Sequence, residues 1–148
     1  MDILPTLAGL ADMAVGEDVE GMDLSHCARG ETGAEPEAAL LQGCGATAIW
    51  EDGHEWRAVR DKRFTYGVFR LDGKEMLFDR ANDPYQLRNV IEDPAYAEDR
   101  SRLRQLMETK MARINDTFER SSWYRDNWTD GDRRILRSAT ADFGNQPR

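Results

Sequence analysis

The chain has 148 residues, 20 Lys and Arg against 28 acids, and a formal net charge of −8, which fits one domain able to bury roughly two-thirds of its unfolded surface. Residues 1–55 hold twelve acids and one base, Arg29, and are net −11, while the remainder is net +3. With no clustered basic stripe, nucleic acid is excluded as a partner, and no apolar run approaches the roughly 18 residues that span a bilayer, nor does a basic-then-apolar export signal open the chain.

Asp2-Ile3-Leu4-Pro5-Thr6-Leu7-Ala8-Gly9-Leu10-Ala11 places Ile3, Leu7, Leu10 and Ala11 on one helical face, with an acid at the positive helix end and proline in the first turn. A short amphipathic helix is predicted there. Residues 28–36 have no period and read as a surface loop. Ala38 to Leu41 reads as an extra strand, and the apolar piece 46–50 leads into the turn Glu51-Asp52-Gly53. Trp56 to Arg60, Phe64 to Phe69 and Met76 to Phe78 are three further strands. Asp72-Gly73 joins the last two as a hairpin, because glycine tolerates the positive φ of tight turns. Asp79 to Val90 contains Asn82-Asp83-Pro84 and reads as a tight structured loop. Residues 95–118 carry Leu103, Leu106, Met107, Met111, Ile114 and Phe118 at three- and four-residue spacing, which predicts one long helix across a sheet face. Residues 119–148 have no clear period: Trp123, Tyr124 and Trp128 lie among six arginines and five acids. They read as a segment that wraps its own or a neighbour's surface. The fold expected is α+β: an antiparallel sheet of about four strands, one long C-terminal helix and a short N-terminal helix.

The chemistry of the residues is sparse. Cys27 and Cys44 are the only cysteines, without CxxC or zinc-finger spacing, so a structural metal is not expected, and the sequence leaves their pairing open. The two histidines, His26 and His54, are too far apart for a two-histidine metal face on one helix, and no GxSxG, P-loop or GxGxxG occurs. Asp79 and Asp83 flank a turn and read as loop caps rather than an acid–base pair.

Three phrases carry a resemblance. W-R-A-V-R at 56–60, R-F-T-Y at 63–66 and L-F-D-x-x-N-D-P-Y-Q-L-x-N-V at 77–90 are similar to the C-terminal subdomain of type I sulfatases, of the alkaline phosphatase superfamily. The family wording has Thr where Asp61 stands, Tyr at Phe64 and Phe78, and Glu at Gln86. D-I-L-P-T-L-A-G-L-A at 2–11 and G-M-D-L at 21–24 resemble two phrases that follow the family's catalytic region, in the same order. The resemblance runs from about residue 2 to 118, with 1–37 as lead-in helix and loop, 38–118 as sheet and helix, and 119–148 as a tail.

The resemblance implies a parent that hydrolyses sulfuric esters with a formylglycine, made from Cys or Ser in C/S-x-P-x-R, beside a calcium ion. Neither cysteine fits: Cys44-Gly45-Ala46-Thr47-Ala48 lacks the proline and arginine, and Ser25-His26-Cys27-Ala28-Arg29 has Cys27 where proline belongs. No catalytic, cofactor or metal residue is therefore expected in this chain, which is expected to begin after the active site and to be inactive alone. The loop before W-R-A-V-R can approach the pocket mouth in these enzymes, which makes His54 and Arg57 candidate substrate-rim residues, with Trp56 expected in the core. The expected function is a C-terminal fragment of a sulfatase, giving support and part of the rim; the alternative is a stand-alone binding or oligomerisation module derived from that subdomain. The expected partner is the large catalytic domain or a second copy, in a homodimer through Ile3, Leu7, Leu10 and Trp50. The compartment is left open.

Overall fold

In the first 37 residues the two phrases of the lead-in are bonded to each other. The structure, a computed structural model, describes residues 2–17, 19, 21–44, 52–127, 129–130 and 133–134, and the chain divides into two units, Met1–Glu37 and Ala38–Arg148. The first unit contains α1 (Ile3–Leu10) and a single turn, α2 (Ser25–Ala28). Asp2 Oδ1 accepts the Met22 N–H at 2.8 Å, and Thr6 Oγ1 accepts the Leu24 N–H at 3.0 Å. Arg29 donates to the Gly9 carbonyl at 2.7 Å, and a Cβ on Gly9 would stand 2.3 Å from the Asp23 carboxylate. The helix buries Pro5 and Ala8, whereas Ile3, Leu4, Leu7 and Leu10 point outward. The apolar face predicted from spacing is thus the exposed one. Cys27 is an exposed free thiol.

The second unit is built on an antiparallel meander in the order β1 (Ala39–Cys44), β2 (Glu55–Arg60), β3 (Phe64–Phe69) and β4 (Glu75–Asp79). Register places Leu40, Val59, Tyr66 and Leu77 in one row. A 3-10 turn, Pro94–Tyr96, leads into α3 (Ala97–Arg113), which lays Leu103 and Met107 on that row. Burial of each such side chain is worth roughly 1.5–3 kcal/mol before entropy. Polar ties fix the crossing: Arg100 and Arg104 both reach the Glu75 carboxylate, and Tyr66 Oη donates to Glu75 Oε1 at 2.8 Å. The four-stranded α+β architecture is as expected.

Three details differ from the sequence expectation. The long helix stops at Arg113, not at Phe118, because Asn115 takes a positive φ of 54°. The Asp116 N–H then bonds the Met111 carbonyl and the Asn115 N–H bonds Ala112, the paired bonds of a Schellman stop. Ile114 is left exposed and Phe118 is off the helix. Trp56 lies out of phase with Arg57 and Val59, so it sits on the sheet face away from α3. It is half-buried, its indole lying across its register partner Gly43, where a Cβ would be 2.2 Å from Nε1. Residues 119–148, read as aperiodic, include α4 (Ser121–Asn127) and a small hairpin of β5 (Thr129–Asp130) and β6 (Arg133–Arg134). The expectations for Trp50 and Trp128 lie outside the described residues.

Candidate functional site

The phrases that gave the resemblance hold the fold together. Arg63 donates to Asp79 with both arms of its fork, at 3.0 and 2.6 Å, while Asp79 also accepts from the Ala81 N–H and the Asn82 amide. The Arg63 guanidinium holds the Asp79 carboxyl down to about 2 against the opposing effect of burial. Asp83 caps the Arg88 N–H at 2.8 Å, and Asn89 Oδ1 accepts from Leu77 and Ile91. Asp79 and Asp83 therefore act as loop caps, as read from the sequence. Asp61, which stands where the family wording has Thr, accepts the Phe64 and Arg63 N–H groups and pairs with Arg102 of α3 at 2.8 Å.

His54 and Arg57, the two candidate rim residues, occupy different environments. Arg57 is 1% exposed. Its guanidinium pairs with Asp116 at 2.5 and 3.0 Å, donates to the Gly43 and Trp56 carbonyls, and lies 4.7 Å from the Phe118 ring centroid. Burial would raise the Asp116 carboxyl, but Arg57 and the Phe118 N–H outweigh it and hold it below the usual range. His54 is exposed, on the loop entering β2. Gly53 beside it has φ of 101°, a conformation for which glycine is suited.

The residues after α3, read from the sequence as the end of the helix up to 118 and an aperiodic tail beyond it, form a strap across the His54 end of the sheet. Asp116 also accepts from Gln42 of β1 at 2.6 Å, and the Phe118 carbonyl accepts from Arg70 at 2.7 Å. Ser121 gives its N–H to Glu55 Oε1 at 2.7 Å, and Ser122 gives its N–H and hydroxyl to Asp52, each at 2.8 Å. Glu55 is fully buried; burial raises its carboxyl, yet the Ser121 and Gly53 amides win and its pKa lies below the ordinary value. The one local signal was the Asn115-Asp116 pair, residue types that favour turns over a helix interior although the apolar spacing runs on past them. Around His54 the surface can offer one imidazole as donor or acceptor. Among the described residues no group of three or more His, Cys, Asp or Glu is placed to hold a metal.

No family model matches the chain. It is 30% identical over 123 residues to an ulvan-active sulfatase of Formosa agariphila, covering 83% of this chain and 24% of that protein. It is 28% identical over 123 residues to a Δ4,5-hexuronate-2-O-sulfatase of Bacteroides thetaiotaomicron, covering 80% and 24%. Among solved structures, a 2-O GAG sulfatase superposes with a TM-score of 0.69 at 27% identity, over 78% of this chain and 25% of that one. The chain thus spans about a quarter of the length of the relatives it matches. Sequence and fold agree in matching the chain to a partial, C-terminal region of sulfatases, consistent with the alkaline phosphatase superfamily.

Proposed function

We propose that the chain works as the C-terminal subdomain of a sulfuric ester hydrolase, supporting a catalytic domain and lending it part of the substrate rim. The observation that carries this reading is the coverage: four-fifths of the chain aligns, in sequence and in fold, with one quarter of sulfatases. The formylglycine and calcium of such an enzyme belong to its other three quarters, since no C/S-x-P-x-R occurs in these 148 residues. Alone, the chain is inactive. His54 is the rim contact, an exposed imidazole able to donate to a hydroxyl or acidic group of the substrate. Arg57 serves the rim from beneath, by holding Asp116 and hence the strap. The exposed side chains of α1 are the surface that the catalytic domain covers, or a second copy when that domain is absent.

Sulfate release tests the reading. The 148-residue chain should give no turnover of 4-nitrophenyl sulfate above a buffer blank, and the intact protein should turn it over. In the intact protein His54→Ala should raise KM for a sulfated disaccharide about fivefold with kcat little changed, as lost ground-state binding does. Turnover by the isolated chain that a substitution within it abolishes would overturn the fragment reading.

A further inference from the structure

His54 lies between two carboxylates, Asp52, which is exposed, and Glu55, which is buried, and both are bonded to the segment that follows α3. Asp52 takes both donors of Ser122, at 2.8 Å each. Glu55 takes the Ser121 N–H at 2.7 Å with one oxygen and the Gly53 N–H at 2.9 Å with the other. We propose that Asp52 and Glu55 are positioning residues that clamp the His54 loop onto the strap 116–122, so that the strap sets where the His54 imidazole is presented. This rests on the rim reading of His54 and extends it to a segment that touches no substrate.

Three observations carry the inference. First, a carboxylate with 0% exposure is costly unless its oxygens are bonded, and both oxygens of Glu55 are spent on joining the loop to the strap rather than on an ordinary surface contact. A sheet edge needs no such group; a loop that must be held does. Second, the strap is itself fixed at points independent of the loop: Asp116 to Arg57 and Gln42, and the Phe118 carbonyl to Arg70. Arg70 in turn gives its N–H to the Glu55 carbonyl at 2.9 Å, so the end of β3 and the start of β2 share the same anchor. Third, the span between the two clamped acids is only Gly53 and His54, too short to move once both ends are tied. Ordering a free loop costs conformational entropy; the clamp makes that ordering part of folding, so binding at His54 does not incur it.

The test has two arms. In the 148-residue chain, Asp52→Ala should speed amide exchange at Gly53, His54 and Ser122 at least about tenfold while Val59 and Leu77 stay unchanged, with the His54 ring resonances moving toward their unfolded positions. Ser122→Ala, which removes one of the two bonds, should give a smaller change of the same kind, and Asp52→Asn should restore most of the protection. Unchanged exchange at His54 in Asp52→Ala, or equal acceleration at Val59 and Leu77, would overturn the clamp. In the intact protein, assayed with an unsaturated 2-O-sulfated disaccharide and with 4-nitrophenyl sulfate, Asp52→Ala should raise KM for the disaccharide alone. The Asp52→Ala, His54→Ala double variant should be no worse than His54→Ala, because one effect acts through the other. Additive losses would overturn the clamp; a His54→Ala variant with unchanged KM would overturn the rim reading instead, leaving the exchange data to judge the clamp.

Discussion

Arg57 and Asp116 are a buried ion pair, with side chains 1% and 3% exposed, and the pair shows how a small domain fixes a long-range contact. Breaking such a pair strands a charge away from water. Asp116→Ala should therefore cost about 3–5 kcal/mol, read from urea unfolding of the 148-residue chain; a loss below about 1 kcal/mol would mean that Arg57 finds another partner or water. Asp79 gives a pH dependence of definite sign. Its folded-state value of about 2 lies below the ordinary 3.8, so its contribution is fully present above about pH 4 and is lost as pH falls through about 2. Because Arg63 is 52% exposed, screening reduces the effect to on the order of 1–2 kcal/mol. Asp79→Asn should flatten the stability profile over that window; an unchanged slope would show that other acids carry it.

Helix α3 separates what the sequence shows from what it hides. The sheet was legible because 56–60 alternates faces, 64–69 is rich in aromatic and β-favouring residues, 76–78 is a third apolar run, and Asp72-Gly73 marks the hairpin between the last two. Leu103 and Met107 were legible as core from their four-residue spacing. Ile114 and Phe118 fit the same spacing, yet neither belongs to the helix face: Asn115 ends the helix, and Phe118 is apolar because it covers the Arg57 guanidinium. The strap was hidden for a different reason. Its ties are single polar contacts between residues such as Arg57 and Asp116, 59 positions apart, and no local period announces them. His54 could be picked out by its loop position, but its clamp could not. Leu103→Ala should cost about 2–5 kcal/mol, whereas Ile114→Ala, at a 41% exposed site, should stay within about 0.5 kcal/mol. Arg104→Ala, a surface change by sequence, should cost about 1 kcal/mol, because Arg104 bonds the Tyr66 hydroxyl and Glu75. Thermal melts of the three variants rank these directly, and equal midpoints would contradict the packing of α3.

At the scale of the whole molecule, the outward side chains of α1 are the feature that calls for a partner. Ile3, Leu4 and Leu7 are 76%, 61% and 59% exposed, and adjacent apolar side chains of this size seek cover. The isolated chain should accordingly self-associate at micromolar concentration, with charge repulsion screened beyond about 8 Å at physiological salt. Leu7→Asp should return it to the 16.9 kDa monomer in light scattering; a wild-type chain that is already monomeric at high concentration would contradict self-association.

The central claim is that these residues serve a catalytic domain encoded with them. Sequencing the reading frame upstream of codon 1 tests this most directly. An in-frame C/S-x-P-x-R motif and the carboxylates that hold calcium are expected there; an in-frame stop codon with no such motif would rule this out and leave a stand-alone module in its place.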